Sequence, residues 1–179
     1  LINDKSVFHN KKVDILIENG LLNKIDNNID VKADQIINRE ELYVSSGWFD
    51  PNISFGEPGF EERETLENGL LTAAKSGFTH VLLNPNTNPK TSTLADVNHL
   101  IQSTLQQTTK LHVSAVLSEK KYGNKMASLY DMHIAGAKAF GNFNKTIINP
   151  NELKIALDYI QTFDGIVQSY PIDKKLCKN

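Results

Sequence analysis

Aliphatic and polar residues alternate along VDILIEN (13–19), LLNKID (21–26) and ADQIIN (33–38), a period of two that predicts three short antiparallel strands. Asn19-Gly20, between the first two runs, predicts a type I′ hairpin turn. Past residue 45 the rhythm changes. Brief apolar runs at 43–49, 78–83 (FTHVLL), 111–117 (LHVSAVL), 137–140 (AKAF) and 165–168 (GIVQ) are separated by helix-length segments at 63–75, 94–107, 125–134 and 151–163. Five strands alternating with four helices predict an α/β fold, a parallel sheet wound by right-handed crossovers. Asn149 ahead of Pro150-Asn151-Glu152 predicts a capped helix start, with Leu153, Ala156, Leu157 and Ile160 on its buried face. Gly77 and Gly136 sit where a helix ends in a left-handed residue. The chain therefore divides into residues 1–45, strand-rich, and 46–179, mixed.

Composition narrows the classes. With 179 residues, 40% hydrophobic, 22% charged and a formal net charge of -2, the chain can bury an ordinary core and is no disordered tail. Nineteen basic residues face 21 acidic ones, only two (Arg39, Arg63) are arginines, and the lysines are scattered, so nothing points to a phosphate-binding face for nucleic acid. No apolar run approaches the roughly 18 residues of a membrane span, so no membrane partner is expected. A lone cysteine, Cys177, cannot form an internal disulfide and fits a reducing, cytoplasmic compartment. The chain starts at Leu1 rather than Met and has no charged-then-apolar leader, and so reads as trimmed or as a portion of something longer.

In an α/β arrangement, function collects in loops at the carboxyl ends of the strands. Three such loops are informative: DPNISFGEPG (50–59), NPNTNP (84–89) and GNFNKT (141–146). The run SGWFDPNISFGEPGFEERET, followed by AAKSGFT and NPNTNP, resembles the opening of dihydroorotases of the cyclic amidohydrolase superfamily. The likeness extends to KKVDILIENGLLNKI before it and LYDMHIAGAKAF after it. It implies an amidohydrolase-type (β/α)8 TIM barrel, of which residues 46–179 would supply the first five strands, with residues 1–45 forming part of a small N-terminal β-sandwich. Such a barrel takes about 250 residues. The three remaining strands would then belong to a longer protein, or a truncated homologue would bury its strand edges against a partner.

The departures from the family pattern carry the functional reading. The resemblance implies a first strand ending Asp-x-His-x-His-x-Arg, the two imidazoles holding zinc and the arginine reaching the substrate carboxylate. Here those places read Asn52, Ser54 and Gly56. Amide and hydroxyl are poor zinc donors beside neutral imidazole, and glycine brings no cation. Where the family offers a metal-bridging carboxylate or carboxylated lysine this chain has Gly141 and Asn142, and Ser169 or Tyr170 stands near a usual histidine. No two of the five histidines lie at metal-site spacing; His80 and His112, inside strands among aliphatics, read as partly buried core residues with satisfied nitrogens. Lys138 falls out of phase with Gly141.

The retained features have plain readings beside the functional ones. Asn86 matches a family residue that hydrogen-bonds the substrate carboxylate, and is also a common turn former. Glu57-Pro58-Gly59 reads first as a tight turn, and Asp50 as an acceptor for loop amides. The family would use zinc, which activates water; no cofactor is expected for this chain. The expectation is a homologue of pyrimidine biosynthesis without catalysis, and the resemblance implies a homodimer and aspartate carbamoyltransferase as partners. The alternatives are a working cyclic-amide hydrolase with an altered metal site, and a module that binds a small molecule through Asn86.

Overall fold

A computed structural model describes residues 1–118, 125–147 and 149–172. The chain forms two compact units, Leu1–Gly47 and Trp48–Asn179. In the first, β1 (Asp14–Glu18) and β2 (Leu21–Asp26) pair antiparallel, Glu18 opposite Leu21. Asn19 (φ 53) and Gly20 (φ 75) both take the left-handed conformation a type I′ turn requires. ADQIIN forms no strand, against the expectation. Ile36 and Ile37 are exposed, and no neighbouring strand among the described residues takes up the ladder bonds that a strand needs.

The second unit is a five-stranded sheet in the order β3 (Trp48–Ile53), β4 (Phe78–Leu83), β5 (Lys110–Ala115), β6 (Ala139–Gly141), β7 (Ile166–Gln168), every neighbouring pair parallel. Helices α1 (Leu66–Lys75), α2 (Leu94–Ser103), α3 (Leu129–Ile134) and α4 (Pro150–Gln161) fill the crossovers. Strand order equal to chain order means that the winding never reverses, so the crossovers return on one side of the sheet. Along β4, Val81 and Leu83 join the core with Leu111, Val113 and Ala115 of β5, Leu66 and Leu70 of α1, and Val97 and Leu100 of α2. Alternation turns His80 and Leu82 the opposite way.

Several boundaries move for local reasons. The first strand of the sheet runs from Trp48 to Ile53 instead of 43–49, because Val44 accepts the Ile2 amide within the other unit, and the strand therefore carries Asn52 itself. Helix α1 starts at Leu66, where Thr65 accepts the Asn68 amide. Helix α2 stops at Ser103, whose hydroxyl, like that of Thr104, bonds back to a carbonyl four residues earlier. Helix α3 begins only at Leu129, since the Ala127 amide bonds Leu117 and Met126 bridges Ser118. Helix α4 starts as expected, the Asn149 side chain accepting the Asn151 amide, and Gly77 and Gly136 take the positive φ expected of them. On α4, however, Ala156 and Ile160 are buried with Glu152, whereas Leu157 is 42% exposed.

Candidate functional site

The loops following β3 and β4 meet at the carboxyl ends of their strands. The Asn88 amide donates to the Pro58 carbonyl at 2.9 Å, and a Cβ on Gly59 would lie 1.9 Å from the Asn88 carbonyl oxygen, so only glycine permits this approach. Glu57 accepts the Leu66 amide at 2.8 Å and thereby caps α1, a structural use of its carboxylate. Asp50 accepts the Asn52 amide at 2.9 Å. Both of these carboxylates thus hold backbone amides.

Asn84 joins the first two candidate positions. Only 2% exposed, it donates from Nδ2 to Asn52 Oδ1 at 2.8 Å and reaches Ser54 Oγ at 3.4 Å. Asn142, the third, turns elsewhere: its Oδ1 accepts the Leu117 and Ser118 amides, and its Nδ2 donates to Ser118 Oγ at 2.8 Å. It caps the end of β5 and does not meet Asn52. At Gly56, the fourth, a Cβ would stand 1.8 Å from the Phe60 carbonyl oxygen, so the backbone leaves no path for an arginine. At Gly141 a Cβ would stand 2.6 Å from the Gln168 carbonyl oxygen and 3.0 Å from its Cβ.

Asn86 differs from these. Its Oδ1 is buried and has no hydrogen-bond partner among the described residues. Nearby in the chain, Lys90 has its ammonium pushed below the usual lysine range by partial burial first, and then by the charge and contact of Lys145 from the loop after β6. Two cations are thereby brought together without a carboxylate partner among the described residues.

The histidines correct an expectation. His80 is exposed and His112 half-buried, and neither belongs to the core. His80 Nδ1 lies 3.0 Å from His112 Nε2 with the ring planes 15° apart, and the Phe49 ring abuts His112 edge-on. One proton held between two ring nitrogens makes this an N–H···N hydrogen bond. Two nitrogens that share a proton in this way do not converge their lone pairs on a cation. Burial first, then His80, Lys110 and Lys138, depress the His112 pKa. Lys138 is exposed, and Cys177 lies outside the described residues.

The zinc that the resemblance implies does not fit the residues present. Asn52 and Ser54 offer neutral oxygens already engaged by Asn84, Gly141 has no side chain and no room for one, and no group of three His, Cys, Asp or Glu able to hold a metal occurs among the described residues.

Comparison with known proteins places this geometry. Over 165 residues the chain is 30% identical to the dihydroorotase of Acetivibrio thermocellus, covering 92% of the chain and 39% of that protein. The dihydroorotases of Ruminiclostridium cellulolyticum (30% over 164 residues, 91% of the chain and 38% of the relative) and Aquifex aeolicus (29% over 164, 91% and 39%) give the same picture. The chain is dihydroorotase-like. It spans about 39% of the length of these relatives. No family model matches the chain. The fold follows L-hydantoinase (dihydropyrimidinase) from Arthrobacter aurescens with a TM-score of 0.73, at 21% identity, over 87% of this chain and 36% of that one. No helix among the described residues is long and apolar enough to cross a membrane.

Reading the sequence singled out Asn52, Ser54 and Asn86 but missed Asn84, and missed the Ser114 hydroxyl that donates to Gln168 Oε1 at 2.6 Å across the sheet. Strand phase held the missing signal: Asn84 follows His80 and Leu82 on one side of β4, and Ser114 follows His112 on β5.

Proposed function

We propose that this dihydroorotase-like chain is part of a cytoplasmic protein of pyrimidine biosynthesis, built on the (β/α)8 plan with a small β-sandwich, that has given up catalysis. The observation that carries this reading is the Asn84 amide bonded to Asn52 and drawn towards Ser54, so that the two positions where the family holds zinc are engaged in neutral hydrogen bonds. Opening a cyclic amide at neutral pH takes an activated water, which the family's metal supplies by lowering its pKa to about 7. A carboxylate acting alone as general base contributes about 10²- to 10⁴-fold, against accelerations of about 10⁶ or more in enzymes. Here Asp50 and Glu57 already accept the amides of Asn52 and Leu66. The role left is that of a structural partner, as a homodimer accompanying aspartate carbamoyltransferase. Turnover assays with dihydroorotate and carbamoyl aspartate, with zinc analysis and co-purification against the transferase, test it on the full-length protein. Absence of turnover with transferase co-elution is expected; zinc-dependent turnover abolished by N52A/S54A would overturn it.

A second reading, retention of a small anionic or cyclic ligand, draws on the unpartnered Asn86 oxygen and the Lys90–Lys145 contact. Metal-free dihydroorotate raising the melting temperature in the parent but not in N86A would support it; equal shifts in both would remove it.

A further inference from the structure

β5 and β7 are separated by β6, and β3 and β7 are the two edges of the sheet, yet one side chain touches all three. Ser114 Oγ, on a fully buried residue of β5, donates to Gln168 Oε1 at 2.6 Å, while Gln168 Nε2 donates to the Pro51 carbonyl of β3 at 3.1 Å. A side chain of this length reaches both only because the sheet curls around it. The carbonyl of Pro51 accepts and cannot donate, which fixes the amide with its nitrogen towards β3. Gly141 of β6 faces Gln168 in the register and leaves it room, since any Cβ there would collide with the Gln168 backbone.

The next residue after Pro51 is Asn52, whose side chain accepts from Asn84. We infer, on the reading above that Asn52 and Ser54 mark the former metal site at this mouth, that Gln168 is its positioning residue. Its amide fixes the Pro51–Asn52 segment, and through Asn52 it holds the buried Asn84 amide against Ser54. A line of neutral hydrogen bonds from Ser114 to Ser54 thus ties β5, β7, β3 and β4 together at the end of the sheet where the family would place a metal.

The test needs no ligand, so its failure is separable from failure of the functional reading. In the full-length protein, Q168L removes both bonds, and Q168E keeps the acceptor for Ser114 while setting a carboxylate oxygen against Pro51. Each variant is expected to lower the melting temperature by about 3 to 8 °C. Each should also shift the side-chain amide resonances of Asn84 and speed their hydrogen exchange roughly fivefold or more. L157A, on the exposed side of α4, should leave those resonances in place. S114A serves if Q168L does not fold, with a smaller change of the same sign. Loss of thermal stability with the Asn84 resonances unmoved would make Gln168 a local brace and overturn the proposal, as would no change in either.

Discussion

Replacing Gly141 by alanine adds one methyl group on β6, and the surroundings determine its cost. The new carbon would lie 2.6 Å from the Gln168 carbonyl oxygen and 3.0 Å from the Gln168 Cβ, atoms of a paired strand that no side-chain rotation moves aside. β6 also pairs with β5 on its other edge, so relief requires β7 to shift against the sheet. Overpacking of this kind costs about 1 to 3 kcal/mol. In a domain of about 150 to 250 residues each kcal/mol lowers the melting temperature by about 2 to 4 °C, so for unfolding of the domain that holds β6 the expected drop is about 2 to 12 °C. Thermal unfolding of the full-length protein, followed by circular dichroism, reads it directly. Shortening the neighbour should not rescue the variant, because Q168A keeps both obstructing atoms. A melting temperature within 1 °C of the parent, or full rescue by Q168A, would refute the claim that the strand partner fills the space where the family's bridging side chain would emerge.

Other consequences are as direct. L83A, at a fully buried core position of β4, is expected to cost about 2 to 5 kcal/mol in denaturant unfolding. E57A removes the carboxylate that accepts the Leu66 amide and should cost about 0.5 to 2 kcal/mol by the same measurement. Because burial, followed by His80, Lys110 and Lys138, depresses the His112 pKa in the folded state, the unfolded chain takes up more protons near the ordinary histidine value of 6.5. Stability should therefore fall as pH drops below about 6.5, and H112N should flatten that slope in melts between pH 7 and 5; an unchanged slope would rule out this pair as its source.

The sheet was legible from pattern alone, because apolar runs such as FTHVLL are bounded by turn residues and coincide with β4 to the residue. Helix starts were less so. Hydrophobic spacing marks a face and not an end, and the ends are set by single bonds such as Thr65 to Asn68 or Ala127 to Leu117. ADQIIN shows the limit of alternation, which reports which residues share a side but not whether a neighbouring strand exists. In the site, Asn52, Ser54 and Gly56 stood out because a likeness to a family marks what a position lacks. Asn84 and Gln168 drew no notice, since amides acquire a role only from partners 30 to 117 residues away in the chain. The His80–His112 contact was hidden for the same reason, being 32 residues apart in sequence and adjacent only once β4 and β5 pair.

The central claim is that Asn52, Ser54 and Gly141 cannot hold a divalent cation where the dihydroorotases would. Zinc titration by calorimetry on the metal-free full-length protein, beside its N52A/S54A variant, tests it most directly. The account predicts identical isotherms for the two proteins. A tight, stoichiometric site present in the parent and lost in the variant would contradict it.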